Sequence, residues 1–284
     1  MIGKFISKFI GGSTIHRAIE NINHTPYIPI FDYAREAARN KNDTYNYVYR
    51  ISQDIPYMYG GLALKYSSFN CQKSMRYIIK TAQLNPNIEA IYLDAECNKY
   101  HEIEQKIYDK LLRIYNRDHL YLYKTYQMYR RDSMEILVND INNSNYPYLG
   151  IKLVRGAYLE KDRKSNCLFS TKEQTDQQYN LALQYVLEHI NMKNKDKKIK
   201  LLVATHNNKS IDLVLNHKKN TSQLAFAQLA FAQLLGMNDT VSKQIYERGY
   251  KVYKYVPYGS YLETYPYLMR RFYENYQILQ HIVK

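Results

Sequence analysis

Residues 150–158 read GIKLVRGAY. A short apolar and β-branched run closes on an arginine, a glycine and a tyrosine. A polar-faced, helix-compatible stretch follows, TDQQYNLALQYVLEHI from Thr175. The same unit recurs on both sides. Upstream lie YIPIFD from Tyr27, LALKYS from Leu62, IEAIYLDAE from Ile88 and LYLYKTYQ from Leu120. Downstream lie IKLLVATHN from Ile199, LAFAQLAFAQLLGM from Leu224 and KVYKYVPYG from Lys251. The intervening stretches, such as EIEQKIYDKLLRIY from Glu102, are long enough to cross over between parallel strands. Eight such units in 284 residues predict an α/β fold, a closed, TIM-like (β/α)8 barrel. The structural alternative is a doubly wound open sheet. It usually carries a glycine-rich phosphate turn after its first strand, and no G-x-G-x-x-G occurs here. No Pro/Ser-rich linker divides the chain, so residues 12–284 are read as one domain.

In a barrel the C-terminal strand ends form the active face. The residues placed there are Asp32, Lys65, Asp94, Glu96, Gln127, Arg155, Tyr158, His206, Asn207, Gln233 and Tyr255. A core needs none of these polar groups, and buried polar groups must be paired. Their convergence favours an enzyme over a merely structural barrel. Asp94 and Glu96, two apart on one strand, are expected to share a face. They make a glycosidase possible in principle. A structural carboxylate bound to a neighbouring lysine is the competing reading.

Composition narrows the classes. The formal charge is +14, yet the densest basic run, NMKNKDKKIK from Asn191, reads as a solvated connector, so nucleic acid is a minor option. The chain holds 32 Tyr and no Trp, a bias that weakens any argument from tyrosine alone. Three cysteines, Cys71, Cys97 and Cys167, are too scattered for a disulfide framework. No run reaches the length of a membrane span. Residues 1–11 form a separate amphipathic segment, with Ile2, Phe5, Ile6, Phe9 and Ile10 on one side; it either packs on the domain or lies on a membrane surface. The eight histidines are scattered, HEIEQ at His101 lacks a second histidine, and no G-x-S-x-G is present. Metal and serine-nucleophile chemistries are therefore disfavoured.

Two features remain. LAFAQ occurs twice in succession, Leu224–Gln228 and Leu229–Gln233. An odd repeat reverses strand facing, so only one copy can hold the standard register. The second is expected to be the strand, because GM and a helix start follow it. Near the end, MRRFYEN sets Arg270 beside Arg271 with Glu274 after them. An i,i+4 pair on a solvated helix explains this blandly.

Taken together, YLDAE (92–96), KLVRGAYLEKDR (152–163), STKEQTDQQYN (170–180), ATHN (204–207), FAQLLGM (231–237), KYVPYG (254–259) and YLMRRFYEN (267–275) resemble the proline dehydrogenase family, in family order. GGSTIHRAI near Gly11 and IFDYAREA near Ile30 extend the resemblance over nearly the whole chain. It implies a distorted (β/α)8 barrel with FAD at the strand ends and the last helix over the mouth. It further implies that Arg270 and Arg271 bind the carboxylate of L-proline, with Lys65 as a third cation oriented by Asp94. Tyr158 and Tyr255 would line the proline ring and Leu234 would close its apolar side. Lys152 would lie near flavin N5, and His206, Asn207 and Glu274 would touch the cofactor. The implied reaction is oxidation of proline to 1-pyrroline-5-carboxylate by hydride transfer to flavin N5, with electrons passed to a membrane quinone. Contact with the membrane would be peripheral. The compartment would be the mitochondrial inner-membrane periphery in a eukaryote, otherwise the cytoplasm or a membrane periphery. Hydroxyproline dehydrogenase is one alternative, which the bulk of Tyr255 disfavours. A barrel impaired by the LAFAQ duplication, or a flavin-free basic binding protein, is another.

Overall fold

The computed structural model describes residues 7–35, 38–143, 147–190, 198–217 and 227–274; the side chains of residues 7, 143, 266, 267 and 270–274 lie outside that description. Eight parallel strands close in sequential order: β1 (Ile28–Tyr33), β2 (Gly60–Lys65), β3 (Ile88–Asp94), β4 (Leu122–Gln127), β5 (Tyr148–Val154), β6 (Lys198–Ala204), β7 (Leu229–Leu234) and β8 (Lys251–Tyr258). Each run read as a strand in the sequence is one.

Between and around them run α1 (Ile15–Asn23), α2 (Lys41–Asp54), α3 (Tyr66–Phe69), α4 (Gln72–Gln83), α5 (Asn98–Tyr115) and α6 (Ser133–Asn143). Then follow α7 (Leu159–Asp162), α8 (Lys172–Ile190), α9 (Asn208–Leu215), α10 (Asp239–Glu247) and α11 (Tyr261–Glu274). Side-chain caps start several helices. Thr14 accepts from Arg17 N at 3.4 Å before α1, and Asn40 accepts from Asp43 N at 2.9 Å before α2. The buried residues of α1, Ile15, Ala18 and Ile22, fall at helical spacing and form the stripe that meets the barrel.

Alternation along the strands separates two cores. Phe31, Leu62, Leu64, Ile91, Leu93, Leu153 and Val203 point outward and pack with the helices. Ile30, Ala63, Tyr92, Leu202, Ala232, Tyr253 and Tyr255 fill the interior. Tyrosines dominate that interior, with Tyr92 4.9 Å from Tyr123 and 6.2 Å from Tyr253 between ring centroids. Glycines on facing positions make room for them. A Cβ at Gly61 would lie 2.6 Å from the Tyr92 ring, and one at Gly150 would lie 2.7 Å from both the Tyr123 ring and Leu122 O. The tyrosine count, discounted in the sequence as bias, therefore has a packing role.

The second LAFAQ copy supplies β7, with Leu234 opposite Tyr255 in β8. Leu224–Phe226 of the first copy lie outside the described residues. At the other end of the chain, α11 seats Leu268 in a cluster with Phe9, Ala34 and Met237, against which Leu234 packs. Ala34 follows β1 and Leu234 ends β7, so α11 lies against the C-terminal strand ends. Tyr33 Oη donates to Glu263 Oε1 at 2.5 Å and reinforces that seat. Residues 1–6 of the amphipathic segment lie outside the described residues; Ser7–Phe9 form a short 3-10 turn.

Candidate active site

Inward positions toward the C-terminal ends of β1, β2, β3 and β5 carry Asp32, Lys65, Asp94 and Lys152. All four are buried. They alternate in sign around the barrel. Lys65 and Asp94 are register partners across β2 and β3. Lys65 Nζ donates to Asp32 Oδ1 at a very short separation and stands 3.6 Å from Asp94 Oδ2. Lys152 Nζ donates to Asp94 Oδ1 at 2.6 Å. Tyr255 reaches across from β8 and donates its hydroxyl to Asp94 Oδ2. Its ring takes the Lys152 ammonium at 4.8 Å from the centroid and that of Lys65 at 5.9 Å.

Asp94 is the hub. Burial by itself would raise its carboxyl; the ammoniums of Lys152 and Lys65, with the hydrogen bonds from Lys152 and Tyr255, outweigh that and hold the pKa down at about 2. The carboxylate is thus a fixed anion near neutral pH, unsuited to accept a proton. It holds two lysines and a tyrosine in place. The sequence reading paired Asp94 with Lys65; in the structure its shorter ammonium contact is Lys152, and Asp32 is the nearer partner of Lys65. Asp32 was placed at the mouth from the sequence but given no role. Its place at the end of the YIPIFD run was the signal.

Two further expectations are corrected. Asp94 and Glu96 do not share a face. β3 ends at Asp94, so strand alternation stops there, and Glu96 turns to the outer side, where it accepts from Ser67 N at 2.7 Å. Gln233 points out of the barrel, because its neighbour Leu234 points in; its Oε1 accepts from Ser242 Oγ of α10. These two carboxylates thus offer no glycosidase geometry.

The remaining residues sort by element. Leu234 lies between the interior cluster and the Phe9–Leu268 cluster, beside Tyr255. Tyr158 is buried with Cys97 and Ala157 in a small cluster of its own, outside the interior cluster that holds Tyr255. Arg155 joins β5 to β6 and its flanking helices: it donates to Asp176 at 2.5 Å, Thr205 Oγ1 at 2.6 Å and Ser210 Oγ at 2.9 Å, and stacks on Tyr179. Asn207 caps α9 by accepting from Ser210 N at 3.3 Å, and His206 Nε2 accepts from Leu234 N at 3.3 Å. Arg270, Arg271 and Glu274 fall on α11, and their side chains lie outside the described residues.

The interior also carries polar atoms that suit a flat heteroaromatic ligand. Thr125 and Gln127 point inward from β4, with Thr125 in register with Lys152. Thr125 Oγ1 and Gln127 Oε1 are buried and have no hydrogen-bond partner among the described residues. Buried polar atoms in that condition are open to a water or a ligand as partner. The Lys152 ammonium stands beside them on the next strand. No cluster among the described residues has the makings of a metal site.

The family model for proline dehydrogenase matches residues 15–283. The chain is similar to "Proline dehydrogenase 1, mitochondrial" of Drosophila melanogaster, 34% identical over 208 residues, covering 68% of this chain and 30% of that protein. It is also similar to "Hydroxyproline dehydrogenase" of Rattus norvegicus, 37% identical over 169 residues, covering 56% of this chain and 37% of that one. Among solved structures, proline utilization A from Bdellovibrio bacteriovorus inactivated by N-propargylglycine superposes with a TM-score of 0.83 at 17% identity, over 96% of this chain and 33% of that chain. The chain spans about a third of the length of the curated relatives it matches. A family match that begins at α1 and runs through every strand of the barrel leaves one assignment: this chain belongs to the proline dehydrogenase family.

Proposed function

We propose that the protein oxidises L-proline to 1-pyrroline-5-carboxylate with FAD as its cofactor. The observation that carries this reading is the Asp32–Lys65–Asp94–Lys152 array, buried at the mouth with Tyr255, in a chain of this family. FAD, when bound, supplies the two-electron acceptor at its N5 position. The residues suited to hold it are Lys152, Gln127, Thr125, His206 and Asn207, with Glu274 from α11.

Each protein group has a distinct task. Arg270 and Arg271 take the substrate carboxylate, since guanidinium donors match a carboxylate in fork geometry and each charge-assisted bond is worth about 1.5–3 kcal/mol. Lys65 adds a third positive charge, moderated by Asp32 and Asp94. Tyr255 and Leu234 form the wall for the ring, and Tyr158 completes it from the β5 side. Hydride leaves the ring carbon beside nitrogen only from the neutral amine. Asp94 stays ionised throughout, so the rate rises with pH through the ionisation of bound proline itself.

The wider reading follows the family. A quinone receives the electrons, and the protein works at a membrane periphery, mitochondrial in a eukaryotic cell and otherwise cytoplasmic or peripheral. The Drosophila relative carries "mitochondrial" in its name. No helix among the described residues is long and apolar enough to cross a membrane. Residues 1–11 are read as an amphipathic segment ahead of the catalytic barrel.

Hydroxyproline is the second reading, favoured by the likeness to the rat enzyme. Tyr255 argues against it, because its bulk stands where a ring hydroxyl needs space. Anaerobic mixing of the yellow purified protein with proline or hydroxyproline decides between them. Proline should bleach the flavin at lower concentration. Bleaching by hydroxyproline alone reverses the assignment. A colourless protein that cannot be reconstituted with FAD leaves the barrel as a flavin-free basic binding protein.

A further inference from the structure

Behind the Lys65–Asp94 pair, on its outer side, lies a second buried linkage between the same two strands. Two residues past Lys65, Ser67 donates its backbone N–H to Glu96 Oε2 at 2.7 Å and its hydroxyl to Glu96 Oε1 at 2.5 Å. Glu96 itself stands two residues past Asp94. Helix α5 grips this strand end from outside with side chains one turn apart. Glu104 Oε2 accepts from Glu96 N at 3.2 Å, and Tyr108 Oη donates to Asp94 O at 2.8 Å. Ser67, Glu96, Glu104 and Tyr108 are all nearly inaccessible, between 1% and 3% exposed.

We propose that Glu96 is a positioning residue: it clamps the turn after Lys65 to the turn after Asp94, and Glu104 and Tyr108 brace that clamp against α5. The proposal rests on the proline-oxidation reading for its kinetic consequence and on hydrogen bonding alone for its structural one.

The argument is one of geometry. The Lys65 side chain departs from the last residue of β2, and α3 begins directly after it. Ser67 is the first residue of that short helix whose backbone and side chain both bond outside it. Tying Ser67 with two bonds to one carboxylate leaves the Lys65 backbone little freedom. The same carboxylate belongs to the chain that carries Asp94, so both site residues are fixed to a common point. A small displacement of a substrate-binding cation is costly to catalysis.

Charge sets the division of labour. Two carboxyls in contact inside a protein do not both ionise. Glu96 accepts two hydrogen bonds from Ser67. Glu104 is pushed well above the ordinary carboxyl range by burial, and then by the negative charge of Glu96. An amide at position 104 keeps the acceptor oxygen that Glu96 N uses.

The test uses the FAD-loaded full chain and four variants: Glu96→Ala, Ser67→Ala, Glu104→Ala and Glu104→Gln. Hydrogen exchange over residues 60–70 reads the clamp without reference to activity. Exchange at the Ser67 amide should quicken at least about tenfold in Glu96→Ala. KM for proline should rise about tenfold in the same variant, with kcat and flavin content changed far less. Ser67→Ala should show a smaller rise, and Glu104→Gln should recover what Glu104→Ala loses. Unchanged exchange in Glu96→Ala and Ser67→Ala overturns the clamp. Quickened exchange with unchanged KM overturns the positioning role. If Glu96→Ala does not fold, Ser67→Ala and the Glu104 pair decide by the same two readouts. A wild-type flavin that proline does not bleach defeats the functional reading instead, and exchange still tests the clamp.

Discussion

Lys152 and Tyr255, from strands three apart around the barrel, grip the two oxygens of one carboxylate. The ammonium of Lys152 meets Asp94 Oδ1 at 2.6 Å, and the Tyr255 hydroxyl donates to Oδ2. One acid thereby sets the place of a group read as facing the flavin and a group read as facing the substrate. Four predictions follow from this arrangement and from the barrel that holds it.

Removing the hub should cost stability as well as activity. Asp94→Ala strands the buried Lys152 ammonium and deprives Lys65 of its second anion. Breaking one side of a buried ion pair costs about 3–5 kcal/mol. The urea midpoint should drop accordingly, and Asp94→Asn should fall between variant and wild type. An unchanged midpoint for Asp94→Ala would mean the array carries no net stability.

The same carboxylate links stability to acid. Its pKa falls from an ordinary 3.8 to about 2 in the folded chain. A lowered acid contributes stability that is complete above its unfolded pKa and is lost as pH falls through the folded one. The window is therefore from about pH 4 down to about pH 2, and the linked contribution is on the order of 2 kcal/mol. Denaturation of wild type and Asp94→Asn at pH 5 and pH 2.5 checks this. The gap between the two proteins should narrow at the lower pH; a constant gap contradicts it.

Tyr255→Ser should open space beside the ring and move preference toward hydroxyproline. A group of that size in a binding pocket is worth about 1–3 kcal/mol of discrimination. Tyr255→Phe keeps the bulk but loses the bond to Asp94, so it should lower proline turnover without gaining hydroxyproline. Ratios of kcat/KM for the two substrates provide the measurement. Equal ratios in wild type and Tyr255→Ser would remove this tyrosine from specificity.

The N-terminal end of the barrel should matter for stability alone. Asn116, fully buried, donates to Leu122 O at 2.8 Å and Tyr148 O at 3.3 Å while accepting from Tyr121 N and Leu122 N. Asn116→Ala strands several backbone groups, at about 1–3 kcal/mol for each one left unsatisfied. Thermal unfolding should shift well below wild type, with KM for proline unchanged below the transition. A raised KM would show that the two ends of the barrel are coupled.

Much of the mouth was legible beforehand because strand alternation is local. YLDAE puts Asp94 inward once Tyr92 is inward, and LALKYS does the same for Lys65. The errors arose near strand ends. Glu96 was assigned to the face of Asp94 by counting two residues, but β3 had already ended. Gln233 was credited to the mouth although its neighbour Leu234 takes the inward position. The interior tyrosines were undervalued because a compositional bias explains their number but not their seating against Gly61 and Gly150.

From residues alone came the eight strands, their order, the choice of the second LAFAQ copy and the family, all of which depend on local period and on motifs read along the chain. Partner choice required closure of the barrel. Asp32 with Lys65, Asp94 with Lys152 and Asp94 with Tyr255 are separated by 33, 58 and 161 residues. Several oppositely charged pairings were open to those side chains. Barrel closure selects among them, because the register of neighbouring strands and the short span across the interior set which charges come within bonding distance.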